Sequence, residues 1–256
     1  MVKSDLPLVW LAPEPESGRR LTRAAVVRAG ISVADEAGAA GLTMSAVAGR
    51  LGEYSAMALY RYVHSKDGLV DLMLDHVVAE VPLPDADAGD WRAQLRGVAL
   101  ESWAMARRHV WYAQLVHTRP PLGPNLLRRT EALLRTLTAT GLDLPEALSY
   151  VQMLDRHVYA AALADAEERA MLRTYGVADD GAFSAAVRDL REAVATRHPL
   201  LGRWMAAPTG PTPAEQLSRE LDFLLDGIAG RIAAGAQRRG ARGRWSGPGR
   251  DGRLGG

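Results

Sequence analysis

The chain contains no cysteine and only two lysines, Lys3 and Lys66. The first absence excludes a disulfide framework and any thiolate metal site, and it suits a reducing compartment such as the cytoplasm. The second, beside abundant Arg, Ala and Gly, is the bias of a GC-rich genome. No apolar run approaches the ~18 residues that a membrane-spanning helix needs. Residues 1–20 hold Pro, Glu and Asp without an apolar stretch, which argues against a secretory leader. Enzyme signatures are missing as well. There is no HExxH, GxSxG or GxxxxGK[ST], and no GxGxxG following a strand. The six His, at 64, 76, 109, 117, 157 and 198, lack the spacing of a zinc site. No metal and no cofactor is expected. Nor does any segment alternate with period two for long enough to make a strand.

What remains is helical periodicity in a chain of 256 residues, 48% hydrophobic and 24% charged. The fold class is therefore all-α. Residues 1–20 form an irregular, Pro-containing arm, with Leu8, Val9 and Trp10 available to anchor it. Val26, Ala29, Val33 and Ala37 make the stripe of a first helix, closed by Gly38 and Gly41. Thr43 caps a second, with Met44, Val47, Ala48 and Leu51 on one face. A short third helix covers about 55–62. Ser65 caps a fourth, with Leu69, Leu72, Met73 and His76 inward. The acidic, Pro-rich segment 81–90 reads as a linker.

Beyond it lies a larger helical region, 91–235. Leu95, Val98, Ser102 and Met105 align on one helix, and 125–139 makes another. Asp143 and Glu146 resemble a capping box opening a helix to about Arg173. Residues 183–198 are helical again, and a last amphipathic helix carries Leu217, Leu221, Leu224, Leu225, Ile228 and Ile232. Residues 236–256 form an Arg/Gly-rich tail expected to be disordered.

Charge is unevenly placed. Residues 231–256 hold seven Arg against one Asp, whereas residues 1–81 hold eight basic and ten acidic side chains. A nucleic-acid reading of the N-terminal part thus depends on where charges sit, not on their sum. Between residues 53 and 66 the chain reads EYSAMALYRYVHSK, which holds three of its seven tyrosines. Only two or three residues follow Gly52 before the third helix, the spacing of a helix-turn-helix, in which the second helix enters the DNA major groove. Small residues allow close approach, Tyr hydroxyls and Arg61 reach phosphates or base edges, and Leu59 and Val63 hold the helix from inside.

The runs LTMSAVAGRLG and MALYRYVHSKDGLVDLML resemble the DNA-binding domain of the tetracycline-repressor (TetR) family, over about residues 21–80. The matching positions are Thr43, Leu51-Gly52, Leu59-Tyr60-Arg61-Tyr62-Val63 and Lys66. There is one departure. Between Gly52 and Tyr60 this chain has one residue more than the common family spacing, with Glu53 and Tyr54 in the turn. The resemblance implies phosphate contacts from Thr43, Tyr60 and Lys66 and a DNA-facing Tyr62. It also points to contacts from Ser45, Tyr54, Ser55, Met57 and Arg61. The partner it implies is a double-stranded operator with an inverted repeat, bound by a homodimer.

For region 91–235 the resemblance implies a small-molecule pocket and a dimerisation face. Pocket candidates are the aromatic and polar-tipped residues Trp103, His109, His117, Tyr150, Met153 and His157. Of these, Tyr150, Met153 and His157 share a helix face. The dimer candidates are Leu217, Leu221, Leu224, Leu225 and Ile228. The alternative for each is a place in its own domain's core. The expected protein is a cytoplasmic, effector-released repressor with no membrane contact. The rival reading is a small-molecule-binding helical protein that has lost specific DNA recognition through its altered turn.

Overall fold

A computed structural model describes residues 9–10, 21–52, 54–85, 89–119, 122–176, 194–206 and 210–243. Among them every long regular element is an α-helix. The N-terminal part holds α1 (Arg23–Gly41), α2 (Met44–Leu51), α3 (Ala56–Val63) and α4 (Lys66–Val78). Each opens on a Ser or Thr whose hydroxyl accepts a backbone N–H of the first turn. The pairs are Thr22 with Ala25 (3.1 Å), Thr43 with Ala46 (3.1 Å), Ser55 with Ala58 (3.3 Å) and Ser65 with Gly68 (2.8 Å). Such caps contribute about 1 kcal/mol each. In short helices like α2 and α3 that is a large share of what fixes their ends. Gly38 breaks the last turn of α1 with a positive φ, and Ala37 before it is exposed rather than inward.

Val26, Val47, Leu59, Val63, Leu69 and Met73 fill the centre of this small bundle. His76, expected on the inner stripe of α4, is exposed, and Asp75 is buried in its place. Val9 is buried and Trp10 packs on the same core, while the rest of the arm lies outside the described residues.

The C-terminal part holds α5 (Trp91–Arg108), α6 (Val110–Leu115) with a 3-10 turn at Val116–Thr118, and α7 (Pro124–Thr138). After these come α8 (Leu144–Thr174), α9 (Pro199–Met205) and α10 (Pro213–Gly243). Asp143 caps α8 by accepting from Glu146 N at 2.8 Å. The Glu146 side chain does not close a reciprocal box. It accepts instead from Tyr150 and Arg231. Helix α8 is the central post against which α5, α6, α7 and α10 pack. Helix α10 runs antiparallel to it, since Arg231 meets Glu146 at 2.8 Å and Glu220 meets His157 at 2.9 Å.

This register turns Leu217, Leu221, Leu225 and Ile228 inward, and all four are buried within their own chain. Leu224 is half-buried against the same core. The stripe expected to face a second copy therefore closes the domain's own core. Helix α10 also continues through residues 236–243, which were expected to be disordered. Of the expected helix 183–198, residues 194–197 are helical and 183–193 lie outside the described residues.

The two parts share one continuous apolar core, with α1 on α6 and α4 on α7. Among the described residues, polar contacts at three places tie them. His109 lies between Asp35 of α1 (2.7 Å) and Glu80 just past α4 (3.2 Å), and Trp111 Nε1 donates to Asp35 (2.7 Å). Arg119 pairs with Asp67 and Asp71 on α4. At the third contact, Asp75 Oδ1 accepts the N–H groups of Asn125 (2.8 Å) and Leu126 (2.9 Å) at the start of α7. Asn125 Nδ2 donates to the other carboxylate oxygen at 2.9 Å. A carboxylate at a helix N-terminus satisfies donors that the helix cannot. Gly123 makes this seat possible, because a β-carbon there would overlap the Asp75 carboxylate.

Candidate nucleic-acid interface and effector cleft

Helix α2 ends at Gly52, whose φ of 82° lets its N–H turn back to Ala48 and Gly49. A residue with a β-carbon would be strained there. Four residues, 52–55, then separate α2 from α3. Glu53 lies outside the described residues, and Tyr54 packs half-buried against the core. Ser55 ends the turn as the α3 cap.

On α3 the inner residues are Leu59, Tyr62 and Val63; Met57, Arg61 and His64 are exposed, and Tyr60, on the same stripe, is half-buried against the core. Met57, Tyr60, Arg61 and His64 fall at i, i+3, i+4 and i+7, a single helical stripe. Met57 stands at its tip, 76% exposed. His64, the C-cap, has a positive φ of 60° and is exposed. Tyr62 is different. Only 8% of it is accessible, and its carbonyl accepts from Arg23 Nε at 2.9 Å. The expectation that Tyr62 faces outward is corrected here, because two residues after Tyr60 a helical side chain points to the other side. His64 was missed as a surface residue, although its seven-residue spacing from Met57 was readable.

Thr43 and Ser45 at the start of α2, Ser55 at the start of α3 and Lys66 at the start of α4 are all exposed. Arg61 and Lys66 form no ion pair among the described residues. Arg50 does: it pairs with Glu36 and donates to Ser32 at 2.7 Å, so its charge is spoken for. That bond also holds the Glu36 carboxyl below the ordinary glutamate range.

The C-terminal part contains a cleft between α5, α7 and α8. It is lined by Leu95, Val98, Ala99, Leu133, Val151, Leu154 and Val158, with Arg129 and Asp155 as its polar members. The open space left is ≈ 10 Å³. Arg129 is buried, 3% accessible, and grips Asp155 with both terminal nitrogens, at 2.7 and 3.0 Å. Ser102 Oγ accepts from Arg129 Nη2 at 3.2 Å. Tyr112 and Tyr159 cross edge-on nearby, 5.1 Å between ring centres. Burial pushes the Tyr112 phenol well above its ordinary pKa, so it stays neutral. Burial opposes the charge of Arg129, but the oxygens of Tyr159 and Asp155 outweigh it, and the guanidinium stays protonated.

None of the six expected pocket residues lines this cleft. Trp103 is buried with Arg107 stacked 4.5 Å above its ring. His109 holds the two parts together, as described. His117 is exposed beside Tyr159, at 6.1 Å. Tyr150 donates to Glu146, and His157 is taken up by Glu220, both in the contact with α10. Met153 packs on the core. Their shared face was read correctly, but it is the face that α10 covers. Arg129 and Asp155 were missed because one sits among surface-like arginines and the other looks like an ordinary helical acid.

A helix-turn-helix seated on an α-helical domain, with an apolar cleft behind it, is the arrangement of a class of DNA-binding regulators. Residues 83–232 match the model of the tetracyclin repressor-like C-terminal domain. The chain is 36% identical to the HTH-type transcriptional repressor DrrR1 of Streptomyces coeruleorubidus, over 93% of this chain and 88% of that one. It is 28% identical to the class A tetracycline repressor of transposon 1721 from Escherichia coli, over 80% and 89% of the two chains. Among solved structures it resembles ActR of Streptomyces coelicolor in complex with actinorhodin. There the TM-score is 0.70 and the identity 26%, over 83% of this chain and 98% of that one. The chain belongs to the TetR family of transcriptional regulators.

Proposed function

We propose that this regulator is a repressor whose α3 reads the major groove of an inverted-repeat operator and that a small molecule releases it. The stripe Met57, Tyr60, Arg61 and His64 on α3 carries the reading. Three of these four residues are exposed, three carry polar tips, and three helix N-termini suited to phosphates flank them. Arg61 and Met57 reach base edges. Tyr60, His64, Thr43, Ser45, Ser55 and Lys66 hold the backbone. The unit spans residues 21–80, and residues 91–235 form the effector and dimerisation domain. The relative DrrR1 is named a repressor, and ActR was solved with a ligand, which supports both halves of the proposal.

The effector enters the α5–α7–α8 cleft. With ≈ 10 Å³ free, a molecule larger than water fits only if the helices part. Helix α7 carries Arg129 into the cleft and seats its first turn on Asp75 of α4. Parting α7 from α5 and α8 therefore moves α4, and with it α3. A ligand that favours the parted form shifts the population away from the DNA-bound one.

Dimerisation uses the outward sides of α8 and α10. Phe223 is 77% exposed there, on one stripe of α10 with the exposed Gly227 and Gly230, and Ala160 and Ala164 are exposed on α8. A stable pair needs ~1,200–2,000 Å² buried. Two copies supply the two half-site contacts that an inverted repeat requires. The protein works in the cytoplasm, where its DNA lies.

Selection from random duplexes by the purified chain, followed by a salt titration, tests the proposal. It is supported by enrichment of an inverted repeat bound at least ~10³-fold tighter than random duplex. Sequence-blind binding that fades with salt would instead leave only the Arg-rich C-terminal residues as the contact.

A further inference from the structure

Within the cleft, Arg129 and Asp155 carry opposite charges and cancel. Their bidentate pair uses both terminal guanidinium nitrogens, at 2.7 and 3.0 Å, and Ser102 takes a further bond at 3.2 Å. Of the five guanidinium N–H groups two are left over, one on Nη1 and the one on Nε. Arg129 Nε is buried and has no partner among the described residues. A buried N–H without an acceptor is costly, and a native fold keeps one only where something else meets it. The remaining walls, Leu95, Val98, Ala99, Leu133, Val151, Leu154 and Val158, are aliphatic.

We infer that the cleft takes a largely apolar molecule through one neutral oxygen acceptor, a ketone, quinone or phenol oxygen, bonded to Arg129 Nε, and that Asp155 rejects carboxylates. This deepens the effector reading above and rests on it. The discrimination comes from charge counting. A neutral carbonyl gains a hydrogen bond from a charged donor and has little solvation to lose. A carboxylate would enter an apolar site whose one positive charge is already neutralised, and would face the Asp155 oxygens. Arg129 alone would favour anions. Asp155 is what changes the preference, which makes it a specificity-determining residue.

The test is calorimetric titration of the full chain with three probes of matched shape. They are 2-acetylnaphthalene, its alkene isostere 2-isopropenylnaphthalene, and 2-naphthoate. The ketone should bind about tenfold or more tighter than the alkene, and the naphthoate weakest. Arg129→Lys keeps the pair with Asp155 but removes Nε, and should erase the ketone's advantage over the alkene. Asp155→Asn uncovers the positive charge and should place naphthoate ahead of the ketone. Should Asp155→Asn fail to fold by circular dichroism, the wild-type series and Arg129→Lys still decide. Equal binding of ketone and alkene, naphthoate binding tightest to the wild type, or no binding by any probe at its solubility limit would each overturn the inference. Those results leave the operator test untouched. Conversely, ketone-selective binding in a chain that selects no operator would keep the site and remove the regulator reading.

Discussion

At the scale of single residues, the decisive distinction lies between Tyr62 and His64. The resemblance puts Tyr62 at the DNA surface, whereas the structure buries it and exposes His64 at the end of the outer stripe. His64→Ala should therefore weaken operator binding measurably, and Tyr62→Phe should change it little; fluorescence anisotropy on one operator duplex compares them. Arg61→Ala should cost about 1–3 kcal/mol and relax the choice of one base pair. Lys66→Ala should weaken all duplexes alike and lower the salt slope by about one. A different residue-scale effect belongs to Glu80. Burial would raise its pKa, but bonds and charge from Arg108 and His109 prevail and hold the carboxyl below its ordinary range. The unfolded chain then binds a proton that the native one refuses. Stability gained from Glu80 is complete above the ordinary value of about 4.3 and is lost as pH falls through the lower native value. Glu80→Gln should flatten that acid limb in urea unfolding measured at a series of pH values.

At the scale of elements, α7 is where the cleft and the DNA-binding part meet. Its first turn holds Asp75 of α4, and Arg129, one turn further on, holds Asp155 of α8. Burial raises the Asp75 carboxyl above the ordinary range, even though the α7 amides stabilise its charge. Gly123→Ala should push α7 off this seat. Overpacking of this kind costs about 1–3 kcal/mol. Hydrogen exchange at the Asn125 and Leu126 amides should rise by the corresponding factor, while the α3 cap at Ser55 stays protected. Unchanged exchange would mean that α7 and α4 are not joined at this point. The helices themselves were legible in the chain because cap residues and apolar spacing are local signals. Thr22, Thr43, Ser55, Ser65, Asp90 and Asp143 each cap the helix that follows them. The end of α10 was not legible, because an Arg/Gly-rich run looks the same in a helix and in a tail.

At the scale of the whole molecule, the correction to α10 redirects the dimer. Its leucine stripe covers α5 and α8 of the same chain, so a second copy has the opposite face to use. If the proposed dimer forms on this face, Phe223→Arg should leave a monomer in sedimentation equilibrium without lowering the unfolding temperature, since Phe223 is 77% exposed on its own chain. Operator affinity should fall with it, because each monomer holds a single half-site. A Leu221→Arg variant should instead fail to fold, which separates the two faces. Should Phe223→Arg remain dimeric, the proposed surface is wrong.

Fold class, the order of the long helices, the helix-turn-helix and the family were legible in the sequence alone, because period, caps and short motifs act within a few residues of each other; the short helices Val110–Leu115 and Pro199–Met205 were not. The three-dimensional structure decided what those signals could not. Which side of α10 is buried depends on α8, far away in the chain: Glu146 and its partner Arg231 are 85 residues apart. That the cleft's polar end is Arg129 with Asp155, and not a histidine or tryptophan, depends on three helices converging. An amphipathic stripe announces that one face will be covered. It does not say by what, because burial rewards any apolar neighbour equally, and only packing selects one.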